Sequence, residues 1–225
     1  MHSQTKVEWT EREYNFGLIE EAEGPVTGNF SFINTGEKPV EIADVKVSCG
    51  CTDVEYSSGK IQLGDTAFLK VTFDPEDRPG KFDKGIYVFF EGENIPVNLR
   101  IKGTVKASEE TLKFAYPFSK GQLHFDVDKV NFGEVKKGIR RREFIDIYNS
   151  GDSPITPNFQ NNSEALSYTL EPPTINPGDN STLTIYLDSS LIPWTGFRTM
   201  EISGSWGETD KAVIPIEMVI LPKEQ

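Results

Sequence analysis

Residues 63–74 read LGDTAFLKVTFD and residues 177–188 read PGDNSTLTIYLD. Each opens on a Gly-Asp turn signal and then alternates. Ala67, Leu69, Val71 and Phe73 share one side of an extended chain, as do Ser181, Leu183, Ile185 and Leu187 in the second stretch. Alternation with period two marks a strand that buries one face. The recurrence of the whole stretch, about 115 residues later, marks a repeated unit.

Working outward, Asn15-Phe16-Gly17 returns as Asn131-Phe132-Gly133, and Asn34-Thr35-Gly36 as Asn149-Ser150-Gly151. IPVNLRIKG from Ile95 answers IPIEMVILP from Ile214. The order is kept and so is the inward phase. Phe30 and Phe32 correspond to Ile145 and Ile147, while Val97, Leu99 and Ile101 correspond to Ile216, Met218 and Ile220. Between these runs lie Asn34-Thr35-Gly36-Glu37, Leu63-Gly64-Asp65, Arg78-Pro79-Gly80 and their second-copy counterparts. They read as turns, because Asn and Gly tolerate positive φ and Pro presets the first turn position.

Roughly seven short strands in about 100 residues, repeated once, predict an all-β chain of two tandem immunoglobulin-like antiparallel β-sandwiches. The boundaries expected are 1–106 and 107–225, the second domain beginning with a linker segment to about residue 122. In that segment Leu112, Phe114, Tyr116 and Phe118 alternate and are too apolar to hang in water. They are expected to pack at the domain junction and hold the tandem fairly rigid.

With 23 basic against 35 acidic side chains, the 225-residue chain carries a formal charge of −12. That makes unassisted binding to nucleic acid or an anionic membrane unfavourable. No run approaches the ~18 to 20 apolar residues of a transmembrane helix. The opening MHSQTKVEW lacks the apolar core of a signal peptide, yet an exported chain whose leader had been replaced would begin in the same way. Only two histidines, His2 and His124, are present, which weighs against a His-based catalytic site.

Both cysteines lie in Ser48-Cys49-Gly50-Cys51-Thr52. That motif is flanked by Phe16-Gly17-Leu18-Ile19 and FSFINTG (30–36) on one side and GDTAFLKVTFD (64–74) and RPGKFDKGIYV (78–88) on the other. In this order the residues resemble a bacterial family of immunoglobulin-like domains of unknown function with a CGCT motif. That family is related in fold to the Hydin-type, ASH-like domains of cilium and centrosome proteins. The second copy keeps the frame but has Asn161-Asn162-Ser163-Glu164-Ala165 where the first has SCGCT, so the frame does not require the cysteines. The resemblance implies an exported protein of the Gram-negative envelope, periplasmic or at the cell surface. It supplies no reaction.

Three places are candidates for function. In a strand, residues two apart lie about 6.6 Å apart on one face, so a bond between Cys49 and Cys51 needs a bend at Gly50. The pair reads as buried thiols or a tight local disulfide. The rival is a thiol-redox or metal-binding pair, although two ligands fall short of a zinc site and no activating charge is evident. Second, the turn Glu20-Glu21-Ala22-Glu23 is acidic where its counterpart is basic, through Lys136, Lys137, Arg140, Arg141 and Arg142. Opposite charges on equivalent turns would allow weak head-to-tail self-association. Third, Trp194 in LIPWTG and Trp206 in GSWG are placed on loops, as candidate contacts for a protein or glycan partner. The carboxylates Asp74, Glu76, Asp126 and Asp128 fall in no recognisable catalytic setting. The function expected is therefore a non-enzymatic binding or structural, adhesion-type module without cofactor or metal.

Overall fold

The computed structural model describes residues 6–207 and 209–223, and His2 lies outside them. The chain divides into two compact units, Met1–Ala107 and Ser108–Gln225.

Unit 1 contains β1 (Val7–Trp9), β2 (Glu13–Glu20), β3 (Val26–Asn34), β4 (Ile42–Val47), β5 (Thr52–Tyr56), β6 (Thr66–Phe73), β7 (Gly80–Phe90) and β8 (Val97–Lys106). They form two four-stranded sheets, ordered β1-β3-β6-β5 and β2-β8-β7-β4. Unit 2 opens with α1 (Glu109–Ala115) and β9 (Phe118–Lys120). There follow β10 (Leu123–Phe125), β11 (Val130–Lys136), β12 (Arg140–Asn149), β13 (Asn158–Asn161), β14 (Leu166–Glu171), β15 (Asn180–Asp188), β16 (Gly196–Trp206) and β17 (Asp210–Leu221). Its sheets are ordered β14-β15-β12-β10-β9 and β11-β17-β16-β13. Apart from the extra β9, the order in unit 2 is that of unit 1 with every strand renumbered.

The alternating runs become the inner faces. Phe30 pairs across from Leu69 and Phe32 from Ala67; Ile145 pairs across from Leu183 and Ile147 from Ser181. Every inward residue named from the sequence is buried except Val97, which is half-buried. The first core is aromatic: Phe73 stacks on Phe82 at 4.0 Å between ring centroids, and Phe32 meets Phe90 edge-on at 5.4 Å. The second is richer in aliphatic residues, with isoleucines of β12, β15, β16 and β17 and Met218 packed beside Phe125, Phe132, Phe159 and Trp206.

Each sandwich departs from a purely antiparallel pattern at one place. β2 runs parallel to β8, and β11 parallel to β17, each with a bulge after the Asn of the Asn-Phe-Gly repeat. The chain changes sheet just before β2 and β11, so each reaches the last strand of its unit as a non-sequential neighbour rather than through a hairpin.

Asn34 and Asn149 do more than favour a turn. Both are fully buried. Asn34 Nδ2 donates to the carbonyls of Lys38 (2.9 Å) and Ile61 (3.0 Å), and its Oδ1 accepts from the Gly36 N–H (3.0 Å). Asn149 repeats this with Ser153, Ile175 and Gly151 at 2.8, 2.9 and 2.9 Å. Each amide thus satisfies three backbone groups at a site water does not reach.

The 112–118 segment differs from expectation. Ser108 caps α1, its hydroxyl accepting the Thr111 N–H at 3.2 Å, and Glu109 faces Lys113 across one turn at 3.7 Å. In a helix, residues two apart point about 200° apart, so the alternation no longer defines one face. Phe114 is 92% exposed, while Tyr116 packs on Tyr148 of unit 2 at 5.4 Å.

Candidate functional site

In both units the chain leaves an edge strand of one sheet and enters an edge strand of the other, from β4 to β5 and from β13 to β14. The SCGCT motif is the crossover of unit 1. Ser48 is tied to β7 by reciprocal bonds with the Gly85 backbone, each 3.1 Å. Thr52 starts the pairing of β5 with β6. Between them the chain bends at the exposed Gly50, and a disulfide joins Cys49 to Cys51 with Cα atoms 5.3 Å apart. Cys51 is buried against the core, Cys49 half-buried, and both sulfurs lie near Thr52 Oγ1, at 3.9 and 3.5 Å. The flanking Lys46 lies 3.9 Å from Asp44 and over the Phe89 ring. Among the described residues no three of His, Cys, Asp and Glu gather as a metal site.

The counterpart in unit 2 closes without sulfur. Ser163 takes the role of the cross-link: its carbonyl accepts the Leu166 N–H (3.1 Å) and its hydroxyl the Ala165 N–H (3.2 Å). Equivalence is fixed by the strand that follows, since the Asp74 N–H donates to the Cys51 carbonyl (2.9 Å) and the Asp188 N–H to the Ala165 carbonyl (2.8 Å). Ala165 therefore stands where Cys51 stands.

The basic turn lies at this same end of unit 2. Buried Ser189 fastens it, accepting the Ile139 N–H at 2.9 Å, with the Lys136 and Ile139 carbonyls at 2.9 and 2.7 Å sharing its single proton. Arg140 Nε donates to Asp188 at 2.8 Å. The Ser190 hydroxyl and that guanidinium hold the Asp188 carboxyl below its usual range. Arg142 lies over the Phe144 ring at 5.5 Å and faces Tyr186 across the sheet. Lys136, Arg140, Arg141 and Arg142 are exposed, and Lys137 is half-buried.

The acidic turn of unit 1 is differently disposed. Glu21 is buried and accepts the Asp77 N–H at 2.7 Å, while Glu20 lies 3.5 Å from Lys106. Two of its three carboxylates are thus engaged within unit 1, because a short 3-10 turn over Glu21–Glu23 rotates Glu21 inward.

Of the two tryptophans, Trp206 contradicts a loop placement. It ends β16, continuing the inward phase of Ile202 and Gly204, and is only 5% exposed against Phe125. Trp194 does lie outside the strands. It packs partly on the core and carries the Arg198 guanidinium over its ring at 5.1 Å.

Glu164, Ser167, Tyr186, Asp188 and Leu191 belong to no functional motif in the sequence. With Arg140 and Arg141 they line one cleft at the crossover end. The repeat held the signal: aligning Asp188 with Asp74 sets β15 against β12 and brings Asp188 opposite Arg140.

On the outer face of the β10 sheet, His124 Nε2 lies 3.0 Å from Ser150 Oγ, and the ring also bonds the Tyr116 backbone. Burial pushes the His124 pKa down, and raises those of neighbouring Tyr116 and Asp126.

Residues 7–105 match the family described as protein of unknown function, DUF1573, and residues 121–203 match the HYDIN/CFA65/VesB-like Ig-like domain. No curated protein matches the chain. Among solved structures it is similar to a protein of unknown function from Porphyromonas gingivalis W83, at 15% identity and a TM-score of 0.40, over 95% of this chain and 99% of that one. It is also similar to the secreted serine protease VesC from Vibrio cholerae, at 12% identity and a TM-score of 0.41, over 93% of this chain and 50% of that one. The ASH / PapD-like domain of human CEP192 is similar at 8% identity and a TM-score of 0.39, over 48% of this chain and 93% of that domain. The two family matches and the sheets above support an immunoglobulin-like fold in each unit, which fits a structural or binding module.

Proposed function

We propose that this protein is an exported, non-enzymatic component of the bacterial envelope, periplasmic or at the cell surface, working as a binding or structural module of the adhesion type. The observation that carries the reading is the Cys49–Cys51 disulfide at the unit 1 crossover. Such cross-links persist in oxidising compartments and are kept reduced in the cytosol. The second crossover supports the binding side of the reading, since it presents arginines and an aromatic side chain on loops and a sheet face, where a rigid sandwich offers contacts to partners.

The test is fractionation of cells producing the protein from its native gene, followed by thiol alkylation and mass measurement. Recovery in the periplasmic or membrane-associated fraction with both cysteines unavailable to alkylation is expected. Recovery in the cytoplasm with two free thiols overturns it. Insulin reduction by the purified protein, abolished by Cys49→Ser, would move the function to thiol exchange.

A further inference from the structure

β12 lies inside its sheet by strand order, yet half of it has only one neighbour. β15 pairs with it from Arg140 to Tyr148, whereas β10 pairs only with residues 147–149. Asp126 carries the second ladder one step further, its N–H donating to the Asp146 carbonyl at 3.2 Å and its carboxylate accepting the Asp146 N–H at 3.0 Å. The chain then leaves for β11 in the other sheet. Bonding direction alternates along a strand, so the N–H and C=O groups of Phe144 and Arg142 point as those of Asp146 do, into the space that β10 has left. Ile139 and Asn149, of the opposite phase, bond to Ser189 and Asp179 on the β15 side. Among the described residues nothing pairs with the outward backbone of Arg142 or Phe144.

Exposure agrees with the ladder. Arg140, Arg141, Arg142, Glu143 and Phe144 are all exposed, inner phase and outer phase alike, although Leu187 and Ile185, opposite Arg141 and Glu143, are buried. This stretch is an open edge, and an open edge is a template for a further strand.

The side chains on the edge select the partner. Arg140, Arg142 and Phe144 project to the outer face, in the phase opposite to buried Ile145 and Ile147, and Arg142 lies over the Phe144 ring at 5.5 Å. Asp188 holds Arg140, but Arg141 and Arg142 form no ion pair among the described residues. Two copies meeting edge to edge would set these arginines against one another, and like charges placed opposite are destabilising. An extended segment with carboxylates opposite Arg140 and Arg142 and an apolar side chain opposite Phe144 satisfies both the backbone and the charge.

Unit 1 has the frame without this chemistry. Register places Thr27 and Asn29 where unit 2 has Arg142 and Phe144, and Gly28 where it has Glu143. Gly28 is buried against the Tyr14 ring, so close that a Cβ there would come within 2.8 Å of it. The Asn-Phe-Gly repeat puts Val130 in place of Tyr14, and Glu143 stays exposed. The edge is neutral, with its inner phase packed, in unit 1; it is basic and exposed in unit 2.

We infer that the 140–144 edge of β12 takes up an extended acidic peptide of a partner protein as an added strand, antiparallel as both present neighbours of β12 are. The inference rests on the binding-module reading and names its partner class. The test titrates the full chain with acetyl-Gly-Val-Thr-Glu-Thr-Glu-Gly-amide, with the same peptide carrying Lys for both Glu, and with the acidic peptide N-methylated at Val and the first Glu. Arg142→Glu is the edge variant and Lys211→Glu, on β17, the control, with circular dichroism checking that each is folded. Expected are binding of the acidic peptide alone, slowed amide exchange at Arg142 and Phe144, no change in the control, and affinity weakened about tenfold or more by N-methylation or by Arg142→Glu. Absence of binding, equal binding of the N-methylated peptide, indifference to Arg142→Glu, or slowed exchange at Thr27 and Asn29 instead overturns it. Self-association of the free chain that Arg142→Glu abolishes also overturns it, since the occupant is then a second copy. These outcomes leave the location of the protein untouched, and a cytoplasmic location in the fractionation sinks the envelope reading without touching the edge.

Discussion

His124 shows how a single residue couples unit 2 to pH. Burial is the main cause lowering its pKa from 6.5, and the bond to the Tyr116 backbone opposes it. The folded state then holds the proton less well than the unfolded chain. Its stabilising contribution is complete above pH 6.5 and is lost as pH falls through the lower folded value. Asp126 works in the opposite sense: burial raises its pKa above 3.8, so its contribution is complete below that value and lost as pH rises through the folded one. The expected outcome is a melting temperature for unit 2 that drops between pH 7 and 5, and a flatter profile in His124→Gln. An unchanged slope in the variant contradicts this assignment. At this scale the sequence was partly legible. Asn34 and Asn149 announced themselves as turn residues, but their bracketing of three backbone groups depends on segments 27 and 26 residues further on. Propensity does not see that distance.

The crossovers are elements that both copies keep but close differently. Cys49 and Cys51 close a loop of only three residues, and the chain entropy such a loop removes from the unfolded state is on the order of 1 to 2 kcal/mol. Unit 2 closes the same corner with Ser163 alone. Cys49→Ser combined with Cys51→Ala is therefore expected to leave unit 1 folded and to lower its stability in guanidinium denaturation by about 2 kcal/mol or less. A loss that abolishes folding would mean that the disulfide, and not the frame, holds the crossover. Strands were the easiest elements to read, because a period of two survives in sequence whatever the strand packs against. The α1 segment was harder. Its helix rests on the Ser108 cap and the Glu109–Lys113 pair, and its apolar residues happen to fall at alternate positions.

For the whole molecule, the two cores are separate and differently made. The first draws its buried apolar residues from Trp9 to Val105, and the second from Leu123 to Ile220. A fragment spanning residues 108–225 is accordingly expected to fold alone and to give a dispersed amide NMR spectrum. A collapsed spectrum would show that its core is incomplete. The sequence by itself determined the all-β class and the inward faces, because burial of one side of a strand imprints alternation on the chain, and repetition doubles the signal. It also located the cysteines and the basic turn. Only the tertiary structure decided which side of the sheet received Trp206, that Glu21 points inward, and that Arg141, Glu164 and Tyr186 share a cleft. Those facts depend on register and on where the chain crosses between sheets. Both are settled by packing between segments distant in sequence.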